Sequence, residues 1–437
     1  MMIRRDAWRE YSRGSLWMLP VVAVVVSVGL GAVLSRINVS PDSLLAFQGT
    51  ADDARNLLIG ISSTMVTVIA LLLGLAVVAL QLSSTQFSPR LLRNFLRDRP
   101  NQIVLAVFVG TFGYSAAGLF EVGVSGGERV VDFPRFAVTV AVGLLFLSLG
   151  LLVFFADHLA HSIQVDQVLR VVETSTLEVI TTLPTGGEPT PTPPPAAHAV
   201  AASTSGYVQV AYVTELLKTA AAQQVHIRLR PRVGEHVVAG STLAWVWQVK
   251  DQQPEGTDEV WRRVDAAVTA AVRIGFERTL EQDPGLGMRQ LCDAACKALS
   301  PAINDPYTAI QAIEHLAVLY AALAARPPGD ITGHVQGCLV TIPTRPFADH
   351  LALGVGLIRR YGAAEPTVVA TLLRLLIATL EASRAAPDQW AAIEEQADLL
   401  IAAAEREVAE PADLALVHTQ RAVLDSALRT RHAAEAH

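Results

Sequence analysis

Four uncharged, largely apolar runs divide the first part of the chain. They occupy residues 16–35, 57–82, 103–120 and 136–156. The hydrocarbon core of a bilayer is about 30 Å thick, so roughly 20 helical residues are enough to cross it. Within lipid, only helices and closed barrels satisfy every backbone hydrogen bond internally. The pattern therefore predicts a membrane domain at residues 1–182 that contains four transmembrane helices.

The second apolar run continues into uncharged polar residues before the chain meets an arginine. No charged residue occurs from Asn56 to Ser88, and at about 1.5 Å per residue this length exceeds a bilayer. Ser88 and Pro89 then match a helix N-cap followed by proline at the first helical position. Residues 88–99 are predicted to form an amphipathic helix at the membrane interface, and the alternative is an ordinary cationic loop. The arginines expected to face anionic lipid headgroups are Arg90, Arg93, Arg97 and Arg99.

The distribution of arginine predicts how the spans are oriented. The segment before the first span and the loop after the second carry four arginines each, whereas the other two loops carry two each. Cytoplasmic loops of membrane proteins carry an excess of lysine and arginine. Both termini are therefore predicted to face the cytoplasm. The three cysteines all lie late in the chain, in the half that this orientation places in a reducing compartment.

Small and polar residues recur along one face of the second span, at intervals of three and four. Such a stripe either lets two helices approach closely or lines a water-filled path. Packing is the commoner cause, while the polar character that continues as far as Gln86 favours a pore. No span carries a charged residue at its centre, which disfavours a proton relay or a voltage sensor. The candidate pore-lining residues are Ser63, Thr67, Gly74, Gln81 and Ser84.

The third and fourth spans each carry one further pattern. In the third, Gly110 and Gly113 belong to a face of small residues that is predicted to pack tightly against another helix. At the end of the fourth, His158 and His161 can share a helical face with Asp157. A metal site there would need a further ligand, so no metal is expected. The two histidines are interpreted as interfacial residues with a candidate pH-sensing role.

The second half of the chain has a different composition. Residues 183–197 are rich in proline and are predicted to be a linker. Residues 198–250 contain short β-branched and aromatic runs separated by turn residues, which predict a small β module. Residues 251–437 are mainly amphipathic helical segments. The predicted fold class is an α-helical membrane protein with four transmembrane helices, followed by a cytoplasmic α+β domain built from the β module and a helical bundle.

Candidate chemistry is scarce in this sequence. The net charge of -7 and the lack of a basic tract argue against a nucleic-acid partner. The chain has no glycine-rich phosphate loop, no GxSxG and no HExxH motif, so neither an enzyme nor a cofactor is expected. Asp305 precedes Pro306 and is predicted to cap a helix that begins there.

Several runs of the sequence resemble those of one family. QFSPRLLRNFLRD and ALSPAINDP are the most specific, and SGYVQV and IRRYGAAEP are further examples. The sequence is similar over nearly its whole length to a bacterial predicted integral membrane family known only as a domain of unknown function, family 2254. The resemblance implies a protein of the bacterial inner membrane that has four spans and a cytoplasmic domain. It assigns no functional residue.

Two hypotheses of function follow from these patterns. The first is a homo-oligomeric channel for ions or small solutes, lined by the second span and assembled or gated by the cytoplasmic domain. The second is a membrane-anchored sensor or scaffold whose cytoplasmic domain binds a ligand or a protein partner. The first is favoured because four spans without an internal repeat are few for a self-contained transporter, whereas several subunits can surround a pore.

Overall fold

The protein is described by a computed structural model. The residues that it describes are 17–37, 39–40, 43, 45–86, 99–122, 133–162, 164–184, 190–249, 257–383 and 386–435. The chain forms two compact units, Met1–Val168 (unit 1) and Leu169–His437 (unit 2). The division falls inside a helix, before the proline-rich segment 183–197. Each unit has an apolar core of its own.

Unit 1 contains a helix at each of the four predicted apolar runs. The bounds are α1 Met18–Leu34, α2 Ala51–Gln86, α3 Arg99–Val122 and α4 Arg135–Ser162. The central helix is α3, which packs against α1, α2 and α4. Its buried Phe108 and Tyr114 form the core together with Leu58 of α2. The Tyr114 hydroxyl donates to the carbonyl oxygen of Ala137 at 3.0 Å, so this buried polar group is satisfied by α4.

Small residues allow α1 and α3 to approach closely. A Cβ atom on Gly110 would lie 3.6 Å from the Cβ of Ala23, and one on Gly113 would lie 3.1 Å from the Oγ of Ser27. Helices in membranes associate through such close contacts, since lipid tails are as apolar as leucine. The small-residue face predicted for the third span is therefore occupied by α1.

Unit 2 combines β-sheets with helices. It begins within α5 (Val165–Thr182), whose first residues belong to unit 1. The strands are β1 His198–Ala201, β2 Gly206–Ala211, β3 Val225–Leu229, β4 His236–Val237, β5 Thr242–Gln248, β6 Val272–Gly275, β7 Ile331–Val335 and β8 Cys338–Ile342. The helices are α6 Val213–Gln223, α7 Thr257–Ala270, α8 Pro284–Ala298, α9 Pro306–Ala324, α10 Phe347–Gly362, α11 Pro366–Ala382, α12 Pro387–Glu407 and α13 Pro411–Glu435.

The strands form two sheets. One has the order β1-β5-β3-β8-β7 and the other has the order β4-β2-β6. The pair β3 and β8 is parallel, with Ile227 opposite Val340, and the remaining described pairs are antiparallel. Alternate residues of β3 are buried, as expected for a strand with one face on a core. Because β6, β7 and β8 come from later in the chain, the sheets include more than the predicted module at 198–250.

Four helices in the described residues are long and apolar enough to cross a membrane. Three of them are α2, α3 and α4, which coincide with the second, third and fourth predicted spans. The helix at the first predicted span, α1, is apolar but has 17 residues. The fourth long apolar helix is α9, which packs against α8 and α11 and buries Ile313, Leu316 and Tyr320 in unit 2. Buried core helices and membrane spans share an apolar composition, which explains this overlap.

Most of α5 is held within unit 2 by polar and close apolar contacts. Glu173 pairs with Nδ1 of His315 on α9. The guanidinium of Arg326 donates to the carbonyl oxygens of Ile180 and Leu183, so it satisfies carbonyls that a helix end leaves without partners. The first turn of α8 also reaches α5, since a Cβ atom on Gly287 would lie 1.8 Å from the Oγ1 of Thr176.

Replacing Gly287 with alanine is expected to destabilise unit 2 at the contact with α5. Alanine favours a helix over glycine by about 1 kcal/mol, but the overlap with Thr176 forces the helices apart, and overpacking costs about 1–3 kcal/mol. A lower midpoint of chemical unfolding is therefore expected. The double variant Gly287→Ala with Thr176→Ala should recover part of the loss. An unchanged midpoint in the single variant would contradict this prediction, because it would show that α5 and α8 can move apart at no cost in stability.

Candidate functional site

The predicted stripe on the second span lies on the exposed side of α2. Ser63, Thr67, Gly74 and Gln81 are all exposed in the single chain. At 3.6 residues per turn, these positions lie opposite the buried face of the helix. That buried face consists of Ala54, Leu58, Ile61, Met65 and Leu72. Packing within one chain therefore does not use the stripe.

The surface of the stripe is shallow and partly polar. No atom lies within 4 Å of the position that a Cβ atom on Gly74 would take. The Thr67 hydroxyl donates to the carbonyl oxygen of Ser63 at 3.2 Å, so this hydroxyl has a partner inside the helix. Ser84 belongs to the same helix, and its side chain is outside the described part of the chain. Exposed Val66 and Val77 lie beside the stripe.

The predicted interfacial helix at 88–99 falls mainly outside the described residues. Arg90, Arg93 and Arg97 lie in the interval 87–98, which the structure does not describe. Arg99 is the first residue of α3 and is exposed. The position of the other three arginines relative to a membrane stays a prediction.

The two histidines at the end of the fourth predicted span lie on the last turns of α4. Nδ1 of His161 lies 2.8 Å from the carbonyl oxygen of Asp157 and 3.5 Å from its Oδ1. The ring of His158 stacks on Phe154 with 5.7 Å between centroids. No cluster of three or more metal-ligating side chains is found in the described ranges. The pH-sensing role stays a prediction.

Asp305 occupies the N-cap position of α9. Its carboxylate accepts hydrogen bonds from the hydroxyl of Thr308 at 2.6 Å and from the backbone N–H of the same residue at 3.1 Å. These two bonds, the hydroxyl first, lower the pKa of Asp305. With Pro306 at the first position of the helix, the geometry is that of a helix cap.

Unit 2 also contains a polar cluster that the sequence patterns did not indicate, in which Asp283 and His350 are buried and the arginines are partly buried. The carboxylate of Asp283 accepts a hydrogen bond from Nε of Arg278 at 2.8 Å. Nη1 of Arg232 lies 3.3 Å from Oδ2 of Asp349. His350, the next residue, is 5% exposed, and its Nδ1 has no hydrogen-bond partner among the described residues.

Two glycines bring the segments of this cluster together. Gly234 has a φ of +84°, and a Cβ atom there would lie 2.2 Å from Oδ2 of Asp283. A Cβ atom on Gly285 would lie 3.3 Å from Cε1 and 3.6 Å from Nδ1 of His350. The turn before β4, the first turn of α8 and the first turn of α10 therefore meet at one place.

Burial shifts the pKa of both the acid, Asp283, and the base, His350, in this cluster. Burial raises the pKa of Asp283, and the ion pair with Arg278 opposes this rise. Burial also lowers the pKa of His350 to about 3, and the positive charges of Arg345, Arg278 and Arg232 lower it further. His350 is therefore uncharged at neutral pH, and the positive charge of the cluster comes from its arginines.

Sequence patterns miss this cluster because its members are far apart in the chain. They come from a turn near 232, from the segment 278–285 that leads into α8 and from the segment 345–350 that leads into α10. Two local signals were available. Asp283 precedes Pro284 and Gly285, and Arg345 precedes Pro346, so each charged residue stands directly before a proline of the kind that marks a helix start.

We expect the stability of unit 2 to fall with acid in a way that depends on His350. An unfolded histidine binds a proton below a pKa of about 6.5, whereas folded His350 does so only near 3. The unfolding free energy therefore falls as the pH drops through this interval, by about 2 kcal/mol between pH 7 and pH 5 for this group.

The check is chemical unfolding of the wild type and of His350→Gln at both pH values. The variant should lose less stability on acidification, while His236→Gln, which replaces an exposed histidine, should behave as the wild type does. Equal losses in all three proteins would contradict the assignment.

Comparisons with known proteins agree with the long apolar helices. The family described as "Predicted membrane protein (DUF2254)" matches residues 13–378. Relatives from Mycobacterium bovis and Mycobacterium tuberculosis, each described as an uncharacterized protein, are 42% identical to the chain over 433 residues. Each alignment covers 95% of this chain and 81% of the relative. No solved structure matches the chain. The chain therefore belongs to the DUF2254 family of predicted membrane proteins.

Proposed function

We propose that the protein is a homo-oligomeric conduit for ions or small solutes, in which the second span of each subunit lines the path. The observation that supports this proposal is the position of the stripe. Ser63, Thr67 and Gly74 are exposed on the side of α2 that lies opposite buried Leu58 and Met65. Because folding of one chain leaves this face uncovered, other copies of α2 and water are its natural neighbours.

A stripe that faces lipid is the competing explanation. Hydroxyl groups alone do not decide between the two, because a threonine can bond to its own helix, as Thr67 does with Ser63. Gln81 is exposed, and lipid tails satisfy none of the hydrogen bonds of its amide. This amide favours a face that is hydrated or covered by protein.

The proposal includes an orientation in the membrane. The first span, α1, crosses the bilayer with α2, α3 and α4, and both termini lie in the cytoplasm of a bacterium. The distribution of arginine supports this orientation, because the segment before α1 and the loop after α2 contain more arginines than the other two loops. Anionic headgroups of the inner membrane would bind the arginines of that loop. Unit 2 would assemble or gate the subunits from the cytoplasmic side, and the proposal includes no enzymatic activity.

Replacing Gly74 with leucine is expected to reduce solute flux by at least roughly tenfold. The added side chain narrows the path where the stripe offers only a glycine, and hydrophobic constrictions close pores by dewetting. The measurement is ion flux into liposomes that contain the purified protein.

Gly150→Leu is the matched control for Gly74→Leu. Both residues are exposed helical glycines with no atom within 4 Å of a Cβ position, but Gly150 lies on α4. The control should conduct as the wild type does. Equal effects of the two substitutions, or a wild type that passes no ion or small solute at any pH, voltage or tension, would contradict the conduit.

Oligomeric assembly through α2 has a separate test. Cysteine introduced at Thr67 should be linked between subunits by a bifunctional thiol reagent in membranes, because stripes of neighbouring subunits face one another. Cysteine at Gly150 should give little linkage. The native Cys292 and Cys338 are buried and Cys296 is partly buried, so the wild type measures their background. Linkage at Gly150 equal to that at Thr67 would locate the interface elsewhere.

A sensor remains the second candidate function, and the contacts of α5 favour it. The chain continues from α4 into α5, and α5 is held in unit 2 by Glu173, Thr176 and the bonds from Arg326. A ligand that shifts α8 or α9 would therefore act on a helix that begins in unit 1. Binding in unit 2 without any flux through unit 1 would favour this second function over the conduit.

A further inference from the structure

Arg345 is an arginine without a partner in a crowded part of unit 2. It is partly buried, and among the described residues its guanidinium forms no hydrogen bond or ion pair. Arg345 lies two residues before Phe347, the first residue of α10, and His350 is in the first turn of that helix. The charge of Arg345 acts on Asp283 and His350, in agreement with this position in the cluster. A partly buried guanidinium normally finds a carboxylate or carbonyl partner, because losing water is costly for a charge.

Two helix N-termini meet at the same place. The first residues of α8 and α10 are Pro284 and Phe347. The Asp283 carboxylate already stands at the N-terminus of α8, whereas α10 receives no hydrogen bond from its N-cap residue, Pro346. Helix N-termini carry partial positive charge and unsatisfied backbone N–H groups, so they favour anions. The helices have 15 and 16 residues, long enough for this effect to develop.

The buried imidazole of His350 is an independent sign of a missing ligand. The residue is 5% exposed, and its Nδ1 faces the first turn of α8, 3.6 Å from the Cβ position of Gly285. No described group bonds to this nitrogen. Buried polar atoms in proteins are almost always paired, so an unpaired one beside two helix N-termini indicates that a polar group can occupy the space.

Two of the three guanidiniums of the cluster have carboxylate partners. Arg232 is paired with Asp349, and Arg278 is paired with Asp283. The third guanidinium, that of Arg345, has no carboxylate partner among the described residues, and a neutral His350 adds no charge. An anion at Arg345 would complete this pairing.

We propose that this cluster is a binding site for an oxyanion of the phosphate class, held by the guanidinium of Arg345 and the free backbone N–H groups of the first turn of α10. Guanidinium groups match the geometry of phosphate oxygens and bind them with two parallel hydrogen bonds. A cation is excluded by the three arginines. The ligand is either inorganic phosphate or the phosphate group of a larger molecule. The site stands on unit 2 alone, so it does not depend on whether unit 1 conducts.

The test is calorimetric titration of the full-length protein, purified in an uncharged detergent, with sodium phosphate at pH 7. Sodium chloride of matched ionic strength is the reference. Saturable binding of phosphate is expected. Arg345→Gln should weaken it by roughly tenfold or more, the fold-change that corresponds to losing hydrogen bonds to a charged group. Arg345→Lys keeps the positive charge but lacks the planar guanidinium that forms two parallel hydrogen bonds. Its phosphate affinity should fall between that of the wild type and that of Arg345→Gln.

Arg360→Gln is the control, because Arg360 is an exposed arginine at the other end of α10. It should bind phosphate as the wild type does. Thermal unfolding without phosphate should be the same for all variants, since Arg345 bonds to no described group, and this separates a lost site from a lost fold. Competition by glycerol phosphate would identify a phosphate ester as ligand, and failure to compete would identify inorganic phosphate.

Three results would overturn the site. The first is a wild type that gives the same heats with phosphate and chloride. The second is an Arg345→Gln variant with unchanged phosphate affinity. The third is an equal weakening in Arg345→Gln and Arg360→Gln, which would show nonspecific attraction between phosphate and surface charge.

Discussion

The contact between Thr176 and Gly287 is the constraint on which the organisation of unit 2 depends. The helix α5 starts in unit 1, and the absence of a side chain at Gly287 lets the first turn of α8 lie directly against the Thr176 side chain. The same turn begins beside Asp283, which is paired with Arg278. The short segment 283–287 thus contacts both α5, the helix that begins in unit 1, and the polar cluster at the first turn of α10. A larger residue in place of Gly287 would disturb both.

Hydropathy and helical periodicity predicted much of the architecture. Helices form at all four apolar runs, because long uncharged segments leave the backbone no other way to satisfy its hydrogen bonds in lipid. The cap at Asp305 followed from the Asp-Pro pair, a purely local signal. Composition could not separate α9 from a membrane span, since a helix buried in a protein core and one buried in lipid are apolar for the same reason.

The sequence patterns did not predict which distant segments of the chain contact one another. The partners of β3 and β2 include β8 and β6, which lie well beyond the run of strands at 198–250. The arginines around His350 likewise come from three separate segments. The spacing along α2 identified the stripe, but only the packing of α2 against α3 and α4 shows that Ser63 and Gly74 lie on the side away from the core of unit 1.

The parallel pairing of β3 with β8 has a consequence for the order of events during synthesis. Ile227 cannot meet Val340 until the ribosome has translated the intervening segment, and chains grow at about 5–20 residues per second. All four apolar runs, by contrast, are complete before β1 is made. The apolar helices therefore have time to enter the bilayer while the sheet still lacks β8. During that interval the unpaired edge of β3 is open to wrong partners, so correct folding of unit 2 requires timely completion of β8.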